Sequence, residues 1–154
     1  MSIATGHPGP RSAAAPESSA LLIAGLWVLA VYNVALALWM AIAPHTFYRA
    51  LGPFDAYNSH YIRDTSTFIG AFAVGSMVAI RVPSWRAPLL SLATVQFALH
   101  SVNHLVDIGN AHPAWIGYFD FFSLLAATVQ LGWLTRVAAV EARSVPRTHQ
   151  GAVP

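Results

Sequence analysis

From Ser19 to Ala43 the chain runs for about 25 residues without a charge, and nearly every side chain is apolar. Coiled as a helix at about 1.5 Å per residue, such a run crosses the roughly 30 Å hydrocarbon core of a bilayer. Ala41-Ile42-Ala43 mimics a signal-peptide cleavage site. The apolar core of a signal peptide, however, is only about 7–15 residues long, and Pro44 directly after the site would hinder cleavage. The run therefore predicts a retained membrane helix.

The remaining sequence extends the same argument. The chain of 154 residues is 56% hydrophobic and 9% charged, where a soluble domain carries about 25% charged residues. A small protein with so little charge has apolar surface left over, and lipid is the solvent that accepts it. Long helices are predicted at about 19–43, 58–82, 87–108 and 113–140. Their short connections make neighbours antiparallel, so the expected fold class is all-α, a four-transmembrane-helix up-down-up-down bundle. The segment His45–Arg49 between the first two is amphipathic and is expected at the membrane interface. Residues 1–18 and 141–154 read as disordered cytoplasmic tails, because they lack a periodic apolar pattern. Trp39, Trp85, Trp115 and Trp133 fall near predicted helix ends, as in an aromatic belt.

All eight basic residues are arginine, and the net charge is +2. Charge this sparse and scattered makes no nucleic-acid footprint. Six arginines (11, 81, 86, 136, 143 and 147) lie on the side of the termini and two (49 and 63) on the other. The positive-inside rule then puts both termini in the cytoplasm of a multi-pass plasma-membrane protein. Absence of cysteine removes disulfides, thiolate metal sites and cysteine catalysis.

Ionisable residues within membrane helices are expensive and mark functional positions. The third long helix carries Gln96, His100, Asn103, His104 and Asp107 within roughly a 100° arc, a stripe expected to face the bundle interior or a water-filled cavity and not lipid. The second offers His60, Arg63, Asp64 and Thr67, above small residues at Gly70, Ala71 and Gly75. The fourth offers Asp120, Ser123 and Gln130 on one face, with Tyr118 nearby. Counting about 20 residues from the turn near Ser84 puts Asp64 level with His104, and His60 level with Asp107. Asp120 falls between His100 and His104.

One reading of this layer is a metal site of His60, Asp64, His100, His104 and Asp107. His100 and His104, one turn apart, can chelate one ion, and carboxylates complete a shell for Zn, Fe, Cu or Mn. Arg63, Gln96, Asn103, Tyr118 and Asp120 are then second-shell or ligand-binding candidates. Haem is disfavoured, because two histidines of one helix cannot occupy opposite axial positions. A second reading is a polar network that only fixes helix register, with Arg63 pairing Asp64 or Asp107. A third is a ligand or proton pathway.

The stretch Tyr57-Asn58-Ser59-His60-Tyr61-Ile62-Arg63-Asp64 and the segment Leu99-His100-Ser101-Val102-Asn103-His104-Leu105-Val106-Asp107 resemble small four-helix actinobacterial membrane proteins, broadly DoxX-like. The resemblance covers about residues 20 to 140. It implies a four-helix membrane fold and, through DoxX-like relatives, a link to quinone-coupled redox chemistry, although no cofactor motif carries that link here. The expected partners are the lipid bilayer and a homo-oligomer or larger membrane complex. The alternative to a ligand-binding pocket is a non-catalytic accessory subunit.

Overall fold

A computed structural model describes residues 15–144 of the chain. Among them are five α-helices, one 3-10 turn and no strand: α1 (Ala15–Ile42), α2 (Pro44–Leu51), α3 (Ser59–Arg81), α4 (Arg86–Val106) and α5 (Trp115–Ser144), with the turn at Pro83–Trp85. The boundaries have local causes. Pro44, which cannot continue α1, opens α2 at its first turn, where a missing N–H costs nothing. Trp39 Nε1 donates to Thr46 Oγ1 at 2.8 Å and so ties α2 to the end of α1. Asn58 caps α3, its side-chain oxygen accepting from the Tyr61 N–H at 3.1 Å.

Helices extend beyond the expected limits at both ends of the chain. Residues 15–18 belong to α1 and residues 141–144 to α5, so those parts of the predicted tails are helical. The rest of both tails lies outside the described residues. The fourth long helix begins at Trp115, two residues after the proline assigned to its start. The amphipathic His45–Arg49 segment, expected only as part of a polar connection, is helical, within α2.

Among the described residues three helical segments are long and apolar enough to cross a membrane. They are Ser19–Ile42 (mean hydropathy 2.3), Pro83–Val106 (1.2) and Trp115–Ser144 (1.3). The sequence led us to expect four. The segment missing from this set is α3, whose 23 residues carry His60, Arg63 and Asp64 in the first two turns and Arg81 at the end. Around the helices apolar side chains face outward as well as inward. Val28, Ile42, Phe68, Leu99, Val106 and Val129 are all exposed, an outer surface suited to acyl chains and not to water. This is a helical protein of the lipid bilayer.

The helices pack as two antiparallel pairs, α1 with α3 and α4 with α5, joined more loosely to each other. Arg63 reaches Ala41 and Gly70 faces Ala37, so one register rises as the other falls. In the second pair the same reversal links Thr94 to Thr135 and Ser101 to Thr128.

All four long helices meet in one buried cluster, formed by Leu22, Leu26, Leu29, Ala79, Leu90, Ala93, Leu131, Leu134 and Ala138. Most of it lies toward the end of the bundle that holds the Pro83–Trp85 turn, here the turn end, with Leu29 and Leu131 near the middle. The opposite end, with α2 and the α4–α5 connection, is the loop end. Arg86 fastens the turn end. Its guanidinium bridges Glu141 at 2.9 Å and donates to the carbonyls of Ala79 and Ile80, and Ser19 Oγ also reaches Glu141.

Candidate functional site

The face of α4 that packs on α5 is set by Leu90, Ala93, Thr94, Phe97 and Ser101. Thr94 Oγ1 lies 3.0 Å from Thr135 Oγ1, and Ser101 Oγ lies 3.3 Å from Thr128 Oγ1. Each of these hydroxyls also bonds a carbonyl one turn back in its own helix. Such back-bonding lets a hydroxyl sit in a low-dielectric interface without an unsatisfied proton. The next rung toward the loop end is ionisable: His104 Nδ1 and Asp120 Oδ2 face each other at 4.0 Å. Both atoms are buried, and neither has a hydrogen-bond partner among the described residues. On its other side His104 Nε2 meets His100 Nε2 at 3.0 Å. The order Asp120, His104, His100 thus runs from the α4–α5 interface to its rim.

The connecting segments cover this row from the loop end. The Phe54 ring stands edge-on to His104 with centroids 5.0 Å apart. The segment that carries it is tied to the α4–α5 connection, where the His112 N–H donates to the Pro53 carbonyl at 3.3 Å. Gly117 makes the entry of α5 possible. A β-carbon there would overlap the Ile108 carbonyl oxygen, so only glycine allows this close approach of backbone to backbone.

The structure thus brings together His100, His104 and Asp120. It does not bring the rest of the expected layer to them. His60 and Asp64 pair with each other at 3.3 Å on the surface of α3, with side chains 85% and 62% exposed. Asp107, at the end of α4, accepts from the Asn110 side-chain amide at 3.1 Å. Equal depth along the bundle does not make contact across it. Among the described residues no three His, Asp or Glu side chains are grouped as a metal's ligand shell requires.

Arg63 pairs with neither Asp64 nor Asp107. Its Nε donates to the Ala41 carbonyl at 3.2 Å, in the last turn of α1, where a cation complements the helix dipole. Apart from His104, the polar stripe of α4 is turned away from the interior. Asn103 is exposed, His100 lies at the rim, and Gln96, His104 and Asp107 are half-buried, while Leu90, Ala93 and Ser101 take the inward positions. On α5, Ser123, Gln130 and Tyr118 are exposed.

Sequence reasoning passed over the hydroxyl rungs, which look like ordinary helix residues. Their only signal was the sevenfold spacing of Thr94–Ser101 and Thr128–Thr135 on facing helices. It also passed over a cleft of about 710 Å³ at the loop end, bordered by Tyr48, Arg49, Asp55, Asn110 and His112. Its charged residues, Arg49 and Asp55, lie on α2 and the following link.

No protein family, curated protein or solved structure matches this chain.

Proposed function

We propose that this is a plasma-membrane protein with four spans and cytoplasmic termini, whose loop-end half binds one transition-metal ion or small ligand at His100 and His104. The observation that carries the reading is the 3.0 Å approach of the two Nε2 atoms, with a carboxylate behind the second imidazole. Metal-bound histidines commonly present the other ring nitrogen to a carboxylate, which fixes the tautomer. Asp120 lies on that side of His104, its carboxylate 4.0 Å from Nδ1 and short of a hydrogen bond. Two nitrogens 3.0 Å apart, each about 2.1 Å from one ion, subtend roughly 90° there. That bite suits adjacent corners of an octahedron or square, hence Cu, Fe or Mn over tetrahedral Zn, and it fits a redox-linked role. Two protein donors leave the ion's other positions for water, substrate or a further ligand.

The pairing of α1 with α3 supports a fourth span. If α1 crosses the bilayer, α3 beside it crosses the same slab, its charged first turns level with the headgroups at the loop end. The excess of arginine at the turn end supports cytoplasmic termini. Kinship with DoxX-like membrane proteins is part of this proposal and rests on the His60–Asp64 and Leu99–Asp107 segments.

Elemental mass spectrometry on detergent-purified protein with a non-histidine tag tests the site. Near-stoichiometric metal is expected in the wild type and none in the His100→Ala, His104→Ala double variant. Asp120→Asn is expected to weaken metal affinity about 10–100-fold, while His60→Ala and Asp64→Asn keep the ion. A folded wild type that carries no metal and takes up no added Cu, Fe, Mn or Zn overturns the reading.

The facing of His104 and Asp120 across α4 and α5, next to the hydroxyl rungs, also favours a second reading, a polar network that fixes the α4–α5 register in an accessory subunit. In that case the double variant loses thermal stability, has no ion to lose, and a larger partner co-purifies in mild detergent.

A further inference from the structure

The loop-end cleft is built from three separate segments. Tyr48 and Arg49 come from α2, Asp55 from the link to α3, and Asn110 and His112 from the α4–α5 connection. Hydrogen bonds hold these walls in place. Tyr48 Oη donates to the Asp55 carbonyl at 2.6 Å, and the His112 N–H donates to the Pro53 carbonyl at 3.3 Å. Asp55 itself has φ of 52°. Aspartate tolerates the left-handed region better than most residues, yet holding it there costs on the order of 1 kcal/mol and needs the surroundings to enforce it. The cleft is therefore a shaped feature, and its volume of about 710 Å³ falls in the usual range for small-molecule sites.

Its electrostatics narrow the occupant. Arg49 has no acidic partner and Asp55 no basic one among the described residues, and the two do not bridge each other. Opposite charges that border one cleft without neutralising each other leave it with a positive and a negative pole. A guanidinium is matched to the oxygens of a phosphate, which it can bind with two parallel hydrogen bonds. A carboxylate is matched to an ammonium. The height of the cleft in the bundle agrees. It opens on α2, which begins two residues after the end of α1, and Trp39, Tyr48, Tyr57 and Trp115 surround this level, as aromatic residues do at a membrane interface.

We propose that this cleft binds a phosphate–amine zwitterion of the phosphoethanolamine type, with the phosphate on Arg49 and His112 and the amine on Asp55. The same chemistry reaches the cleft either as the headgroup of a membrane lipid or as a free phosphomonoester. The proposal is independent of any ion at His100 and His104.

The test is calorimetric titration of the full-length protein in a maltoside detergent. The ligands are dihexanoyl phosphatidylethanolamine, dihexanoyl phosphatidylglycerol and free phosphoethanolamine. The wild type is expected to bind phosphatidylethanolamine saturably and at least tenfold more tightly than phosphatidylglycerol, which has the phosphate and lacks the amine. Arg49→Ala should weaken binding about tenfold or more, the loss expected for a charge-assisted hydrogen bond. Asp55→Asn, which keeps a residue tolerant of positive φ, should abolish the preference for the amine and retain phosphate binding. Binding of the lipid alone assigns a membrane source, and equal binding of free phosphoethanolamine assigns a soluble one; both support the site. Both residues are exposed, so unchanged thermal unfolding of the variants is expected and confirms that they fold. No saturable binding by folded wild type, or unchanged affinity in folded Arg49→Ala, overturns the proposal.

Discussion

At the turn end, Leu22, Leu26 and Leu90 are wholly buried, and Arg86 reaches α5 and the last turn of α3 while Glu141 joins it to Ser19 of α1. At the loop end the same helices carry His60, Asp64, His100, Asp107 and Asp120. There the shared apolar cluster is absent and the connecting segments leave a cleft. One end is held by a cluster that all four long helices share, the other by smaller local contacts, among them the buried Met40, Ala111 and Ile116, and by directed polar ones. A bundle closed at one end can keep polar groups poised at the other, because the register set by the packed end fixes where they fall.

The comparison can be broken by substitution. The largest effect is expected from an exception at the loop end. Gly117→Ala drives a β-carbon into the Ile108 carbonyl oxygen, and the forced backbone shift should cost about 3 kcal/mol or more. Thermal unfolding in detergent reads it, and an unchanged midpoint would show that α5 does not approach so closely.

Leu90→Ala at the turn end comes next. Lipid, not water, surrounds this protein, so the cavity left behind weighs more than the transfer of the side chain, and about 2 kcal/mol is expected. Leu99→Ala, at an exposed position on the same helix, should leave the unfolding midpoint nearly unchanged. If the two behave alike, the turn end is not the packed end.

Glu141→Gln removes one charge of a pair whose side chains are 12% and 30% exposed. A loss of about 1–2 kcal/mol is expected, as for hydrogen bonds to charged groups, and Arg86→Gln should give a similar one. Additive losses in the double variant would show that the two do not interact. The smallest effect belongs to the α4–α5 rungs, where Thr94→Val should cost about 0.6 kcal/mol, the usual worth of a hydrogen bond between membrane helices. A loss several times larger would move the main hold of this pair from packing to hydroxyls.

Much of the architecture was legible in the chain because lipid imposes a strong requirement. A helix that meets hydrocarbon must be apolar over some 20 residues, and Ser19–Ile42 announces this in composition alone. The amphipathic character of His45–Arg49 was legible in the same way, but its helix, α2, was not. The candidate site was harder. Counting residues from a turn gives depth, and that count put Asp120 between His100 and His104, where it faces His104. The same count aligned Asp64 with His104, yet Asp64 stays on the outer surface of α3 with His60, because α3 packs chiefly on α1.

By itself, then, the sequence determined a helical protein of the bilayer, its approximate helix limits and the level at which its polar residues lie. These depend on local quantities, hydropathy and rise per residue. Only the tertiary structure decided which residues meet. It paired α4 with α5, turned the polar stripe of α4 to the rim, sent Arg63 to the Ala41 carbonyl and drew Arg49, Asp55 and His112 around one cleft. Helix rotation and partner choice are set by how small and large side chains fit between neighbours, and that fit is not written in the periodicity of any single helix.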